Sequence, residues 1–180
     1  MLGDAVEMET VKVGGENIIV EIDETKLGKR KYNRRHRVEG VWVVAGVERT
    51  SAKKIFAREV ENRNAETITK IIETYVLPGS IIFTDCWKAY IAACEKLNYQ
   101  HFTVNHSENY KNPIDGTHTN TIEGNNNAIK INIKPQNRVR KNINEHLWFF
   151  IWKRQNKNNV WDGFLDALSK IFIFFKKKVR

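Results

Sequence analysis

The chain has 180 residues, 41% hydrophobic and 28% charged, values of an ordinary folded domain that exclude wholesale disorder and a membrane-embedded chain. The length supports one domain with a real core and is short for two. Thirty Lys and Arg against twenty-one Asp and Glu leave a formal +9, with seven basic residues in 26–37, five in 130–141 and a KKKVR end, a clustering that favours a polyanion, nucleic acid above all.

Residues 1–16 are polar, contain Gly14-Gly15 and read as a loose lead-in. They lack the apolar run of a signal peptide. NIIVEID (17–23) alternates in the manner of a strand that ends on Asp23. The basic stretch 26–37 has no apolar period and reads as a loop or hairpin arm. GVWVVAGVE (40–48) and KKIFAREVE (53–61) are the next two strands, so three strands form an antiparallel meander. NAETITKIIETYV, from Asn64, has helical spacing and stops at Pro78-Gly79. SIIFTD (80–85) reads as a buried strand closed by Asp85, then a helix from Cys86 to Asn98 and a strand YQHFTVN (99–105), which together imply a parallel crossover. Loop chemistry fills 106–119. Helices are expected over 121–133, 142–155 and 164–175.

This order is α/β with a mixed five-stranded sheet flanked by helices and followed by C-terminal helices. An RNase H-like layout fits it, while order alone leaves other mixed-sheet folds open. Cys86 and Cys94, the only cysteines, would stand about 12 Å apart along one helix and cannot pair there. A reducing compartment is expected. The apolar clusters at 147–152 and 171–175 are too short to span a bilayer, so no membrane association is expected.

Two acids close apolar strands, where functional side chains gather. Asp23 and Asp85 would be neighbours if their strands pair. Each also has a local explanation, since Asp85 suits a cap of the following helix. Glu123 lies three residues after Asn120 in a capping-box pattern, placing it on the first turn of a helix. On that helix Glu123, Asn127 and Lys130 share one face and Ile122, Ile129 and Ile133 another. Should the three carboxylates converge, they form a hard oxygen site for Mg²⁺ or Mn²⁺. Arg30, Lys31, Arg34 and Arg35 are the candidate DNA contacts. His118 is a candidate phosphate contact, with His106 similar to it, while Trp87 and Tyr90, at helical spacing, suit the core.

EIDETKLGKRKYNRRHRVEGVWVVAGVERT, TDCWKAY, TVNHSENY, THTNTIEG, HLWFFIWKRQ and FLDALSKI stand in this order, and the chain resembles the catalytic domain of Merlin-type DDE transposases and their bacterial insertion-sequence (ISXO-like) relatives. The resemblance covers 17–172, leaving 173–180 as a basic tail. It implies an RNase H-like fold, two-metal DNA cleavage and strand transfer, a triad of Asp23, Asp85 and Glu123, and the relatives' lysine at Lys130. It also implies DNA as partner and a homo-oligomer that holds two DNA ends, in the nucleus of a eukaryotic host or the cytoplasm otherwise. Family members commonly carry a tryptophan three residues after the glutamate and an N-terminal end-recognition segment. Here the first is Asn126, and the chain begins only some twenty residues before Asp23. The alternative expectation is an inactive transposase-derived DNA-binding or assembly module.

Overall fold

A computed structural model describes residues 11–28, 40–104 and 118–178, with side chains through residue 169. The elements are β1 (Val13–Gly14), β2 (Ile19–Leu27), β3 (Val41–Glu48), β4 (Ile55–Val60), α1 (Ala65–Tyr75), β5 (Val76–Leu77), β6 (Ile81–Asp85), α2 (Lys88–Lys96), β7 (Gln100–Val104), α3 (Asn120–Asn132), α4 (Arg140–Gln155) and α5 (Val160–Lys178), with one 3₁₀ turn at Pro135–Asn137. The main sheet runs β4-β3-β2-β6-β7. β2, β3 and β4 form the expected antiparallel meander, and β6 and β7 join parallel to β2 and to each other. This is the RNase H-like arrangement, a mixed five-stranded sheet flanked by helices.

Alternation along the strands sends apolar side chains into two cores. Val20, Ile22, Val44, Phe56 and Ile82 pack with Ile68 and Ile72 of α1 and Tyr90 and Ala93 of α2. Leu27, Val43, Ala45 and Val47 pack on the other face with Ile122 and Ile129 of α3 and with Ile143, Leu147 and Ile151 of α4. Burying each of the valine, leucine and isoleucine side chains among them is worth about 1.5–3 kcal/mol, so α3 is held on the sheet by its isoleucine stripe despite its polar sequence. Gly46 sits between Ile22 and Phe56 in the register of three strands. A Cβ there would come within 2.3 Å of the Phe56 ring, so only glycine leaves room for that aromatic side chain.

Several expectations are corrected. β2 does not end at Asp23 but continues to Leu27, taking Lys26 and Leu27 out of the supposed basic arm. Part of the lead-in is structured: Val13 and Gly14 pair in parallel with Val76 and Leu77 of β5, and Val13 is buried. The first helical residue of α3 is Asn120, with Thr119 before it as the cap. α5 starts at Val160 rather than Phe164. No helix among the described residues is long and apolar enough to cross a membrane. Arg30, Lys31, Arg34, Arg35 and His106 lie outside the described residues.

Candidate active site

The strands pair so that Glu21 of β2 stands opposite Phe83 of β6. One pleat further along both strands, the same register brings Asp23 level with Asp85 on the face covered by α3. Asp23 Oδ1 accepts the Glu24 N–H at 2.8 Å and Oδ2 accepts an Asn126 amide N–H at 2.9 Å. Asp85 Oδ1 accepts the Trp87 N–H at 3.0 Å, which shapes the turn into α2 without making Asp85 the helix cap. Burial pushes Asp23 up from the usual 3.8 to about 6, and the negative charges of Glu24 and Asp85 add to the rise, while the Glu24 N–H and the Asn126 amide oppose it. The charges acting on this carboxylate are thus both negative, and a divalent cation between Asp23 and Asp85 would offset both. In donor chemistry the pair fits a hard metal ion.

α3 is set on the sheet by a second carboxylate. Glu21 is fully buried; its Oε1 accepts Arg49 Nε–H at 2.5 Å and its Oε2 accepts the Ile122 N–H at 3.0 Å. The latter is one of the unsatisfied donors of a helix start, where a negative charge is favourable. Arg49 also donates to His118 Nδ1 at 2.9 Å and to the His118 carbonyl at 2.6 Å, and its guanidinium lies 4.8 Å over the Phe83 ring. A guanidinium only donates, so His118 Nδ1 accepts and its ring proton sits on Nε2. Of the two ring nitrogens, Nδ1 is therefore spent on the approach to α3.

On the opposite face, Glu24 accepts Tyr90 O–H at 2.7 Å and pairs with Arg63. That guanidinium is stacked 4.2 Å from the Trp42 ring centroid and 4.7 Å from that of Trp87. Trp87 and Tyr90 therefore serve the core edge, as their spacing suggested, Tyr90 donating to Glu24 and Trp87 stacking on the Arg63 guanidinium that is the counter-charge of Glu24.

The structure thus brings Asp23 and Asp85 together but does not assemble three carboxylates. Among the described residues no three His, Cys, Asp or Glu side chains form a group able to hold a metal ion. Glu123 accepts Thr119 O–H at 3.3 Å. Because Glu21 holds the helix at Ile122, it is Asn126, one turn on, that faces Asp23. Asn126 is 3% exposed, whereas Asn127, expected on the functional face, points to solvent. Lys130 lies in the last turn of α3, half-buried, its carbonyl accepting from Arg138. Sequence reasoning missed Glu21, Arg49, Glu24 and Arg63. The available signal was a strand in which Glu21 and Asp23, two residues apart, put two acids on one face.

Sheet order, crossover and level aspartates define an RNase H-like domain with an acidic face beneath α3. The ISXO2-like transposase domain matches residues 1–147, and the chain belongs to that family. In fold it is similar to a chain of the simian T-cell lymphotropic virus intasome in complex with PP2A regulatory subunit B56 gamma, at 18% identity and a TM-score of 0.49 over 76% of this chain and 49% of that one. The chain therefore aligns with about half of that protein's length. No curated protein matches it.

Proposed function

We propose that this transposase-family chain is a DDE catalytic domain of the Merlin type that cuts DNA and joins the ends to a target. The observation that carries the reading is the level placement of Asp23 and Asp85 on adjacent parallel strands, under a helix that carries Glu123. In this reading Asp23, Asp85 and Glu123 hold two Mg²⁺ or Mn²⁺ ions, and Lys130 contacts DNA or the reacting phosphate. When bound, the ions supply Lewis-acid activation of a water or 3′-hydroxyl and neutralise charge on the leaving oxygen. The chain's own part is positional. The Glu24 N–H and Asn126 orient Asp23, Trp87 orients Asp85, and the Glu21–Arg49 pair holds the start of α3, the helix that carries Glu123. Arg30, Lys31, Arg34 and Arg35 hold phosphates, with His118 as a further phosphate contact, and a homo-oligomer brings two DNA ends together. DNA as the substrate implies the nucleus of a eukaryotic host or otherwise the cytoplasm.

The test is nicking of a labelled duplex by the purified chain during Mg²⁺ and Mn²⁺ titration, with Asp23→Asn, Asp85→Asn and Glu123→Gln alongside. Loss of cutting in all three supports the triad, and full activity in any one removes that residue from it. The second reading, a DNA-binding or assembly module without chemistry, is favoured by the Thr119 contact of Glu123 and by Asn126 on Asp23. Salt-sensitive DNA binding with no metal-dependent cutting is its signature.

A further inference from the structure

Asn126 Oδ1 is the one buried side-chain oxygen or nitrogen without a hydrogen-bond partner among the described residues. It belongs to a side chain that is 3% exposed and whose other amide end is bonded to Asp23 Oδ2 at 2.9 Å. Buried polar atoms are almost always satisfied, so an orphan beside a carboxylate pair calls for a missing partner. That partner must be a hydrogen-bond donor or a cation. The acid that this side chain touches, Asp23, stands level with Asp85 on the face beneath α3, which favours the cation.

The two ends of a carboxamide have the same shape, so rotation by half a turn about the side-chain axis exchanges them without repacking. With N–H towards Asp23 the amide satisfies a bare carboxylate. With oxygen towards Asp23 two acceptors face each other, which is unfavourable unless a cation lies between them. An amide carbonyl is a hard oxygen ligand of the kind that divalent magnesium, manganese and calcium accept.

Resting on the proposal that Asp23 and Asp85 hold a divalent ion, we propose that Asn126 is a further ligand of that ion, its amide turning from donor to Asp23 in the metal-free protein to oxygen donor on the metal. Asn126 thus supplies an oxygen beside Asp23 that the carboxylates alone do not. It also gives the metal-free site a latch that the ion must open.

The test is Mn²⁺ binding to the full chain by calorimetry, for the wild type, Asn126→Leu, Asn126→Asp, Asp23→Asn and Asp85→Asn, with metal-free melting curves to verify folding. A ligand role predicts about tenfold or greater weakening in Asn126→Leu. It also predicts wild-type or tighter binding in Asn126→Asp, which keeps an oxygen but cannot donate to Asp23. Equal weakening in both variants would reduce Asn126 to a hydrogen-bond donor, and no weakening in Asn126→Leu would remove it from the site; either overturns the proposal while the Asp23–Asp85 site stands. Wild-type binding that is absent, or indifferent to Asp23→Asn and Asp85→Asn, overturns the site reading and this inference with it. Should Asn126→Leu fail to fold, the Asn126 side-chain NH₂ resonances decide. Loss of their hydrogen-bonded shift on adding Mg²⁺ supports the turning amide, and an unchanged shift at saturation overturns it.

Discussion

Glu21 and Arg49 form an ion pair in which the carboxylate is wholly buried and the guanidinium is 22% exposed, closed at 2.5 Å. The pair does more than neutralise itself, because the remaining carboxylate oxygen holds Ile122 N–H at the start of α3. Arg49→Met leaves a buried charge with a single neutral donor and should cost about 3 kcal/mol or more. Glu21→Gln should cost less, since an amide oxygen can still accept from Ile122. Urea unfolding of both variants and of the double variant gives the coupling, and a coupling near zero would show the pair to be incidental to the placement of α3.

The titration of Asp23 gives a pH dependence of known sign. Its carboxyl holds a proton up to about 6 in the folded chain against the ordinary 3.8 of an unfolded one, so the folded form binds more protons between those values. The stability this contributes is complete below about 3.8 and is lost as pH rises through about 6, amounting to about 3 kcal/mol for a shift of this size. Without metal, the difference in unfolding free energy between Asp23→Asn and wild type should grow across that interval in favour of the variant. A difference independent of pH would contradict the raised value.

Glu24 is the largest charge contribution to that rise. Glu24→Gln should therefore lower the Asp23 midpoint, read from the carboxyl ¹³C shift of Asp23 against pH. Arg63→Ala, which removes the counter-charge of Glu24, should raise it. The two variants moving the midpoint in the same direction would mean that packing around Trp42 and Trp87, rather than charge, sets the value.

Tyr90 is buried and its O–H is committed to Glu24 at 2.7 Å. Desolvation and the nearby carboxylates hold this phenol neutral, well above the usual tyrosine range. Tyr90→Phe keeps the ring packing and should destabilise the fold by roughly 1–3 kcal/mol, the range for depriving a charged group of a buried donor. Thermal unfolding of that variant measures it.

Gly46→Ala should disrupt the sheet, because the added carbon meets the Phe56 ring at 2.3 Å between the adjacent strands β3 and β4. Overpacking of this kind costs about 1–3 kcal/mol. Pairing it with Phe56→Leu should recover part of the loss, which a double-variant unfolding series would detect.

Most of the architecture could be read in advance because it rests on local periodicity. Ile68 and Ile72 spell a helix, Val43, Ala45 and Val47 a strand face, and the crossover from β6 through α2 to β7 follows from element order. The full length of β2 was hidden because Lys26 begins a cationic run, and charge masked the alternation that ends in Leu27. β1 and β5 are only two residues each, too short for a period. At the site, the adjacency of Asp23 and Asp85 followed from strand ends and pairing. The partner that α3 offers them did not, because Asn125, Asn126 and Asn127 look alike in sequence. Asn125 and Asn126 are both buried, and only the hold on Ile122 by Glu21, a contact across 101 positions, selects Asn126 as the amide that meets Asp23.

That hold and the Asn126 contact work together as meshing teeth. Glu21 and Asp23 are two strand residues apart, about 6.7 Å, and Ile122 and Asn126 are four helical residues apart, about 6 Å. The helix and strand therefore share a pitch, and α3 can index against β2 only in whole turns. Inserting or deleting one residue between Ile122 and Asn126 would rotate everything beyond it by about 100°, carrying Ile129 and Ile133 away from the core they fill beneath the helix. Length change in this short interval is therefore the alteration that the domain tolerates least, however conservative the residue added.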